Sequence, residues 1–137
     1  MALKWYTIVV DCLDPHAQAR WWAEVLDWVT VFEAEDEVVL VPRHALEAEG
    51  PAADLDTWMR RGQGLVFGSV PEGKQVKNRL HIDLAPHSSQ DRAAEIQRLL
   101  DLGATRVDVG QDEEEVSWTV LADPEGNEFC VLSSRDR

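Results

Sequence analysis

Apolar and polar positions fall into two similar cycles along the chain, each a strand pattern, then a helical stripe, then further strands. The first cycle opens with Trp5 to Cys12, a nearly continuous apolar run that predicts a strand buried on both faces of a sheet. Asp14-Pro15 follows, with Asp14 suited to cap a helix and Pro15 to occupy its first position. Trp21, Val25 and Trp28 then form one stripe, with Trp22 and Leu26 beside it, which predicts an amphipathic helix lying on the sheet. On such a stripe the tryptophans read as core rather than as an aromatic box for a ligand. Val29–Glu33 and Glu37–Val41 flank Ala34-Glu35-Asp36 and predict a hairpin. Between Arg43 and Gly62 the pattern breaks. A short helix over Asp54–Arg61, anchored by Trp58, makes this stretch either a lid or rim, or a solvated insertion. Gly64–Val70 returns to a strand and ends at Pro71-Glu72-Gly73.

The second cycle repeats the first. Leu80–Leu84 is the strand, Ser88 with Asp91 resembles a capping box, and Ala93, Ala94, Ile96, Leu99 and Leu100 form the helical stripe that Gly103 stops. The helix ends are alike: Val25-Leu26-Asp27-Trp28 in one cycle, Leu99-Leu100-Asp101-Leu102 in the other. Arg106–Val109 predicts a strand. A closing hairpin pairs Trp118–Ala122 with Phe129–Leu132, around a turn in which Pro124 presets φ while Gly126 and Asn127 tolerate positive φ. Both cycles read as strand, helix and about three strands. The expectation is one α+β domain spanning 1–137, built from two βαβββ modules at about 1–73 and 74–137.

Charge narrows the choice of partners. Asp and Glu number 26 against 13 Lys and Arg, and a net charge of −13 repels both a phosphate backbone and anionic lipid. Neither nucleic acid nor membrane is an expected partner. No apolar run reaches membrane-spanning length and no secretory leader pattern opens the chain, so a cytoplasmic protein is expected. In that compartment Cys12 and Cys130 stay reduced, as small buried apolar side chains.

Two βαβββ modules resemble the vicinal oxygen chelate superfamily, which includes glyoxalase I, bleomycin-resistance proteins and extradiol dioxygenases, over essentially the whole chain. Three segments look like the glyoxalase-like domains of actinobacteria: Val76-Lys77-Asn78-Arg79-Leu80-His81-Ile82-Asp83-Leu84, Leu102-Gly103-Ala104-Thr105, and Ala122-Asp123-Pro124-Glu125-Gly126-Asn127-Glu128-Phe129-Cys130-Val131-Leu132. The resemblance implies that each module curls its sheet into half of a cup, with the ligand inside. Most members of known activity hold a divalent metal there, while several only sequester a drug.

Glyoxalase-type members take a metal ligand from the first and last strands of each module, as His, Gln or Glu. Carried onto this chain, the opening position of the first module is Thr7, and Leu65–Val70 offers no His, Glu, Asp, Gln or Cys. The second module has His81 on its opening strand and Cys130 where the family's glutamate falls. His81 and Cys130 alone fall short of the three or four ligands a stable site needs. No tightly bound metal is therefore expected, and a divalent-metal alternative rests on those two residues.

Other chemistry centres on the same strand. His81 and Asp83 share a strand face, the only acid/base pair the sequence suggests; an imidazole can exchange a proton at neutral pH. Alternatively, His81 is a half-buried histidine with one satisfied hydrogen bond. Lys74, Lys77 and Arg79 form a basic cluster in an acidic chain. Lys77 and Arg79 are suited to holding a carboxylate or phosphate, with Asn78 supplying neutral donors and an acceptor. A solvated linker is the plainer account. Thr7 and Trp118 complete the ligand-contact candidates. Asp112–Glu115 reads as solvated surface, and His16, His44 and His87 show no metal-ligand spacing.

Two function classes follow. One is a protein that binds a small organic molecule, anionic or neutral, and performs no chemistry on it. The other is a lyase, isomerase or dioxygenase of the vicinal oxygen chelate type, dependent on His81 or on a metal. A homodimer is expected, partly from the resemblance and partly because Trp5, Trp28 and Trp58 leave aromatic surface to cover.

Overall fold

The computed structural model describes residues 3–46, 54–108 and 118–136. The chain divides into two compact units, Met1–Gly73 and Lys74–Arg137. The first unit runs β1 (Thr7–Cys12), α1 (Pro15–Leu26), β2 (Val29–Glu33), β3 (Glu37–Val41), a 3-10 turn (Arg43–Leu46), α2 (Leu55–Arg60) and β4 (Gly64–Ser69). Its sheet has the order β1-β4-β3-β2, with β1 parallel to β4 and the other pairs antiparallel. The second unit runs β5 (Ile82–Leu84), α3 (Arg92–Asp101), β6 (Thr105–Arg106), β7 (Trp118–Ala122) and β8 (Glu128–Leu132), in the order β5-β8-β7-β6. First strand parallel to last, and last antiparallel to third, is thus the topology of both units. This is the expected α+β class.

In the first unit the Asp14 carboxylate accepts the Ala17 N–H at 3.0 Å, and Pro15 opens α1, where its missing N–H costs nothing. The helix stops where Asp27 turns left-handed, at φ 53°. Trp21 and Trp22 are buried and meet edge to face, with ring centroids 5.2 Å apart. Strand alternation sets Val38 beside Phe67 and Leu40 beside Leu65, all four buried. The opposite face carries Val9, Val66 and Val39 in one register row. Val9 is 58% exposed, so β1 is not buried on both faces. Among the described residues it is an edge strand bonded only to β4, and it begins at Thr7 rather than Trp5. A side chain at Gly64 would bring its Cβ to 2.7 Å from the Leu40 carbonyl oxygen, a close approach that only glycine permits.

In the second unit Asp91, not Ser88, caps α3, accepting the Ala93 N–H at 3.0 Å. Ile96 and Leu99 are buried, whereas Ala93 and Ala94 are exposed, so the apolar stripe is narrower than its sequence suggests. Arg92 ties the helix start to the sheet, donating to Leu132 O, Val131 O and Thr119 Oγ1 at 3.1, 2.8 and 2.9 Å. Strand β6 spans Thr105–Arg106 where Arg106–Val109 was expected, Val109 lying outside the described residues, and Ile82 rather than Leu80 begins β5. The Asp112–Glu115 run lies outside the described residues.

The turn between β7 and β8 is built on Asp123, which is 3% exposed. Its carboxylate accepts from the N–H groups of Glu125 and Asn127 at 3.0 Å each, and from the Asn127 amide at 3.3 Å. Gly126 supplies the positive φ, 89°; Asn127 does not adopt one.

Candidate functional site

Parallel pairing of β5 with β8 sets Asp83 opposite Cys130, and antiparallel pairing of β8 with β7 sets Cys130 opposite Val120. Because side chains alternate along a strand, Trp118 and Val120 on β7 share a face with Glu128, Cys130 and Leu132 on β8. This face forms the floor of a cleft of about 510 Å³ in the second unit. Lys77, Asn78, His81, Asp83 and Arg135 complete its lining.

At the centre, His81 Nδ1 lies 2.8 Å from Asp83 Oδ1, and Cys130 Sγ lies 3.9 Å from the same nitrogen. His81 sits just before β5, yet the pair anticipated from spacing does meet. Burial pushes the Cys130 thiol above its ordinary value, the Asp83 carboxylate pushes further, and the Lys77 ammonium opposes both. At neutral pH the sulfur is therefore a thiol, a poor nucleophile.

Beside this trio lies a largely buried ion pair, Lys74 Nζ to Glu128 Oε1 at 2.9 Å. Asn78 donates its backbone N–H to Glu128 Oε2 at 3.0 Å and its amide to Glu128 O at 3.3 Å. For Glu128 desolvation is the largest single influence and raises its pKa. The Asn78 N–H and Lys74 together outweigh it and hold the carboxyl below the usual range. Lys74 and the Asn78 amide thus have structural work, which leaves Lys77 and Arg135 as the cationic side chains on the lining.

Arg79 and Thr7 are not among the residues that line the cleft. Arg79 is exposed. Thr7 belongs to the first unit, where its hydroxyl donates to Gly64 O at 3.0 Å. Glu128 and Arg135 were missed from sequence. Glu128 could have been found by alternation, two residues before Cys130; Arg135 carries no pattern that marks it.

A metal of the kind the fold implies would need donors from both units. In the first, β4 carries no imidazole, carboxylate or thiol side chain, and the Cys12 thiol is buried 3.6 Å from Gly68 O. Among the described residues β4 therefore offers no such donor from the first unit. What the second unit offers is His81, Asp83 and Cys130, whose donor atoms all lie within 4.8 Å of one another. An N, O and S trio of this kind suits a borderline ion such as zinc.

The profile of the family described as "Glyoxalase-like domain" matches residues 7–132. That match reaches the family and not the narrower actinobacterial group. Solved structures agree in fold. A glyoxalase/bleomycin resistance protein/dioxygenase family enzyme from Burkholderia phytofirmans is similar at 13% identity and TM-score 0.66, covering 97% of this chain and 100% of its own. A fosfomycin resistance protein from Listeria monocytogenes, bound to manganese(II) and 1S,2S-dihydroxypropylphosphonic acid, is similar at 10% identity and TM-score 0.69, covering 99% and 94%. An oxidase is similar at 13% identity and TM-score 0.62, covering 98% and 96%. No curated relative matches the chain by sequence. Among the described residues no helix is long and apolar enough to cross a membrane.

Proposed function

The chain belongs to the glyoxalase-like domain family, matched over residues 7–132, and from that premise we propose that it binds a small organic anion in the cleft of the second unit. One observation carries this reading: a cleft of about 510 Å³ that sets Lys77 and Arg135 against the apolar surface of Trp118, Val120 and Leu132. That volume suits a small molecule. In a chain of net charge −13 the cleft is not acidic: with Glu128 offset by Lys74, Lys77 and Arg135 stand against Asp83 among the lining residues. The ligand's apolar part lies on the indole and its anion on the cations. His81, braced by Asp83, is placed to donate to or accept from a polar group of the ligand. Binding without chemistry is the reading in which no metal is tightly held.

A metal-dependent reading is favoured by the His81, Asp83 and Cys130 trio. Those three side chains would hold the ion, which when bound would act as a Lewis acid toward a ligand oxygen.

Calorimetric titration with phenylphosphonate, an aromatic anion, and with acetophenone, a neutral aromatic, tests the first reading. Saturable binding of phenylphosphonate, weakened by Trp118→Ala, is expected. No saturable heat from either compound at millimolar concentration would overturn it.

A further inference from the structure

The family match ends at Leu132, yet Arg135, three residues on, lines the cleft. The segment that carries it is pinned at Asp136. The Asp136 carboxylate accepts from Ser88 N at 3.1 Å and from Ser88 Oγ at 2.6 Å, and His87 Nε2 stands 3.1 Å from Oδ2. His87 Nδ1 accepts the Ser89 N–H at 3.1 Å, which leaves Nε2 as the ring nitrogen that donates toward Asp136. Three donors from the loop between β5 and α3 thus converge on one carboxylate. The Ser88 hydroxyl is the main cause that holds Asp136 below the usual carboxylate range.

The consequence falls on the neighbouring residue. Arg135 Nη1 donates to the carbonyls of Ser133 and Ser134 at 3.1 and 3.2 Å, which folds the guanidinium back along its own segment. Arg135 is exposed, and it stands between the anchored Asp136 and the last strand, β8. Lys77, by comparison, has one long contact, 3.4 Å to Asn78 O, and a single ammonium on a flexible stem.

We propose that residues 133–136 form a working wall of the binding site, in which Arg135 recognises the oxyanion of the ligand and Asp136, clamped by Ser88 and His87, positions it. This rests on the small-anion reading above and adds to it the group that selects for negative charge. A guanidinium presents paired N–H donors to two oxygens of one carboxylate or phosphonate, which an ammonium cannot do.

Phenylphosphonate, benzoate and acetophenone are titrated into the native chain and into Arg135→Ala, Arg135→Lys, Asp136→Ala and Ser88→Ala. Arg135→Ala is expected to weaken phenylphosphonate and benzoate by about tenfold or more, the loss of a charge-assisted contact, while leaving acetophenone unchanged. Arg135→Lys restores only part of that. Asp136→Ala and Ser88→Ala lower the anion-to-neutral affinity ratio by a smaller factor at unaltered Tm, a ratio that a merely structural role would not move. If the native chain binds the anions and Arg135→Ala binds them equally well, this inference fails and the small-anion reading stands. If Arg135→Ala loses anion affinity while Asp136→Ala and Ser88→Ala keep it, the clamp is overturned. If the native chain binds none of the three compounds, the small-anion reading fails and this one with it.

Discussion

Asp83 and Cys130 face each other across the parallel β5–β8 pair, and the carboxylate of one helps to keep the sulfur of the other protonated. Burial does the larger part, since Cys130 is 6% exposed. Asp83→Asn removes the second influence and leaves the first. Its Cys130 should therefore be alkylated by iodoacetamide a few-fold faster than the native residue at pH 8, followed by peptide mass spectrometry so that Cys12 is counted apart. The native residue should also show a sign in stability. Its folded pKa is raised, so its contribution is complete below the ordinary thiol value and is lost as pH rises through the folded one. Equal alkylation rates in the native and Asp83→Asn chains would remove Asp83 from the account.

Glu128 works in the opposite sense. Its carboxyl is depressed because the Asn78 N–H and Lys74 outweigh burial, so its contribution is present above the ordinary carboxylate value and is lost as pH falls through the folded one. Lys74→Met strips one partner from a carboxylate whose side chain is 12% exposed. The expected cost is about 1–3 kcal/mol in urea unfolding at pH 7, shrinking toward pH 4. Adding Glu128→Gln should recover most of it. A double variant no more stable than Lys74→Met would show that the ion pair is not the cause.

The residues so far fall into those the sequence discloses and those it hides. Hairpin β2–β3 was legible residue for residue, because two apolar runs flank three residues unsuited to continuing a strand. The Asp14 cap and the burial of Trp21 and Trp22 were legible for the same local reason. Ser88 was misread as a cap because its hydroxyl is taken by Asp136, 48 residues later, and no local pattern announces a partner that distant. Exposure of Val9 follows from what covers the sheet, not from the strand's own composition. In the site, His81 and Asp83 could be paired from their spacing alone. Arg135 could not, because it lies beyond the last periodic segment.

The hairpin turn gives a sharp mutational contrast. Asp123→Ala leaves the N–H groups of Glu125 and Asn127 without their acceptor in a part-buried turn, and a loss of about 1–3 kcal/mol is expected. Gly126→Ala puts a side chain at φ 89° and should cost about 1 kcal/mol. Both are read from Tm against the native chain. Because β8 carries Glu128, Cys130 and Leu132, Asp123→Ala should also lower phenylphosphonate affinity. An unchanged Tm in Asp123→Ala would show that the turn holds without its carboxylate.

The expectation of a homodimer draws on the exposed apolar residues of the first unit. Leu3, Trp5 and Tyr6 are 96%, 65% and 70% exposed, within four residues of one another and just before the edge strand β1. Trp58, on the short helix α2, is 38% exposed with the Lys4 ammonium 5.1 Å from its ring centroid. Surface of this kind is expected to be covered by a second copy. Light scattering at micromolar concentration should give a dimer mass, and Trp5→Lys with Tyr6→Lys a monomer. A native monomer would sink the expectation.

The last prediction concerns metal. The trio of His81, Asp83 and Cys130 gives three donors from one unit, and one of them must first lose a proton that burial and Asp83 both retain. Metal binding therefore releases a proton and tightens with pH, and at neutral pH it should be weak. The chain purified and dialysed without chelator is expected to hold well under one equivalent of zinc, manganese, nickel or iron by elemental analysis. Cobalt(II) added at rising pH should bring up a thiolate-to-metal band in the near ultraviolet, absent in Cys130→Ala and weakened in Asp83→Asn. That readout needs no activity and separates a weak site from none. About one equivalent of tightly held ion, lost in His81→Ala, would instead show that the three donors suffice, and the metal-dependent reading would displace binding without chemistry.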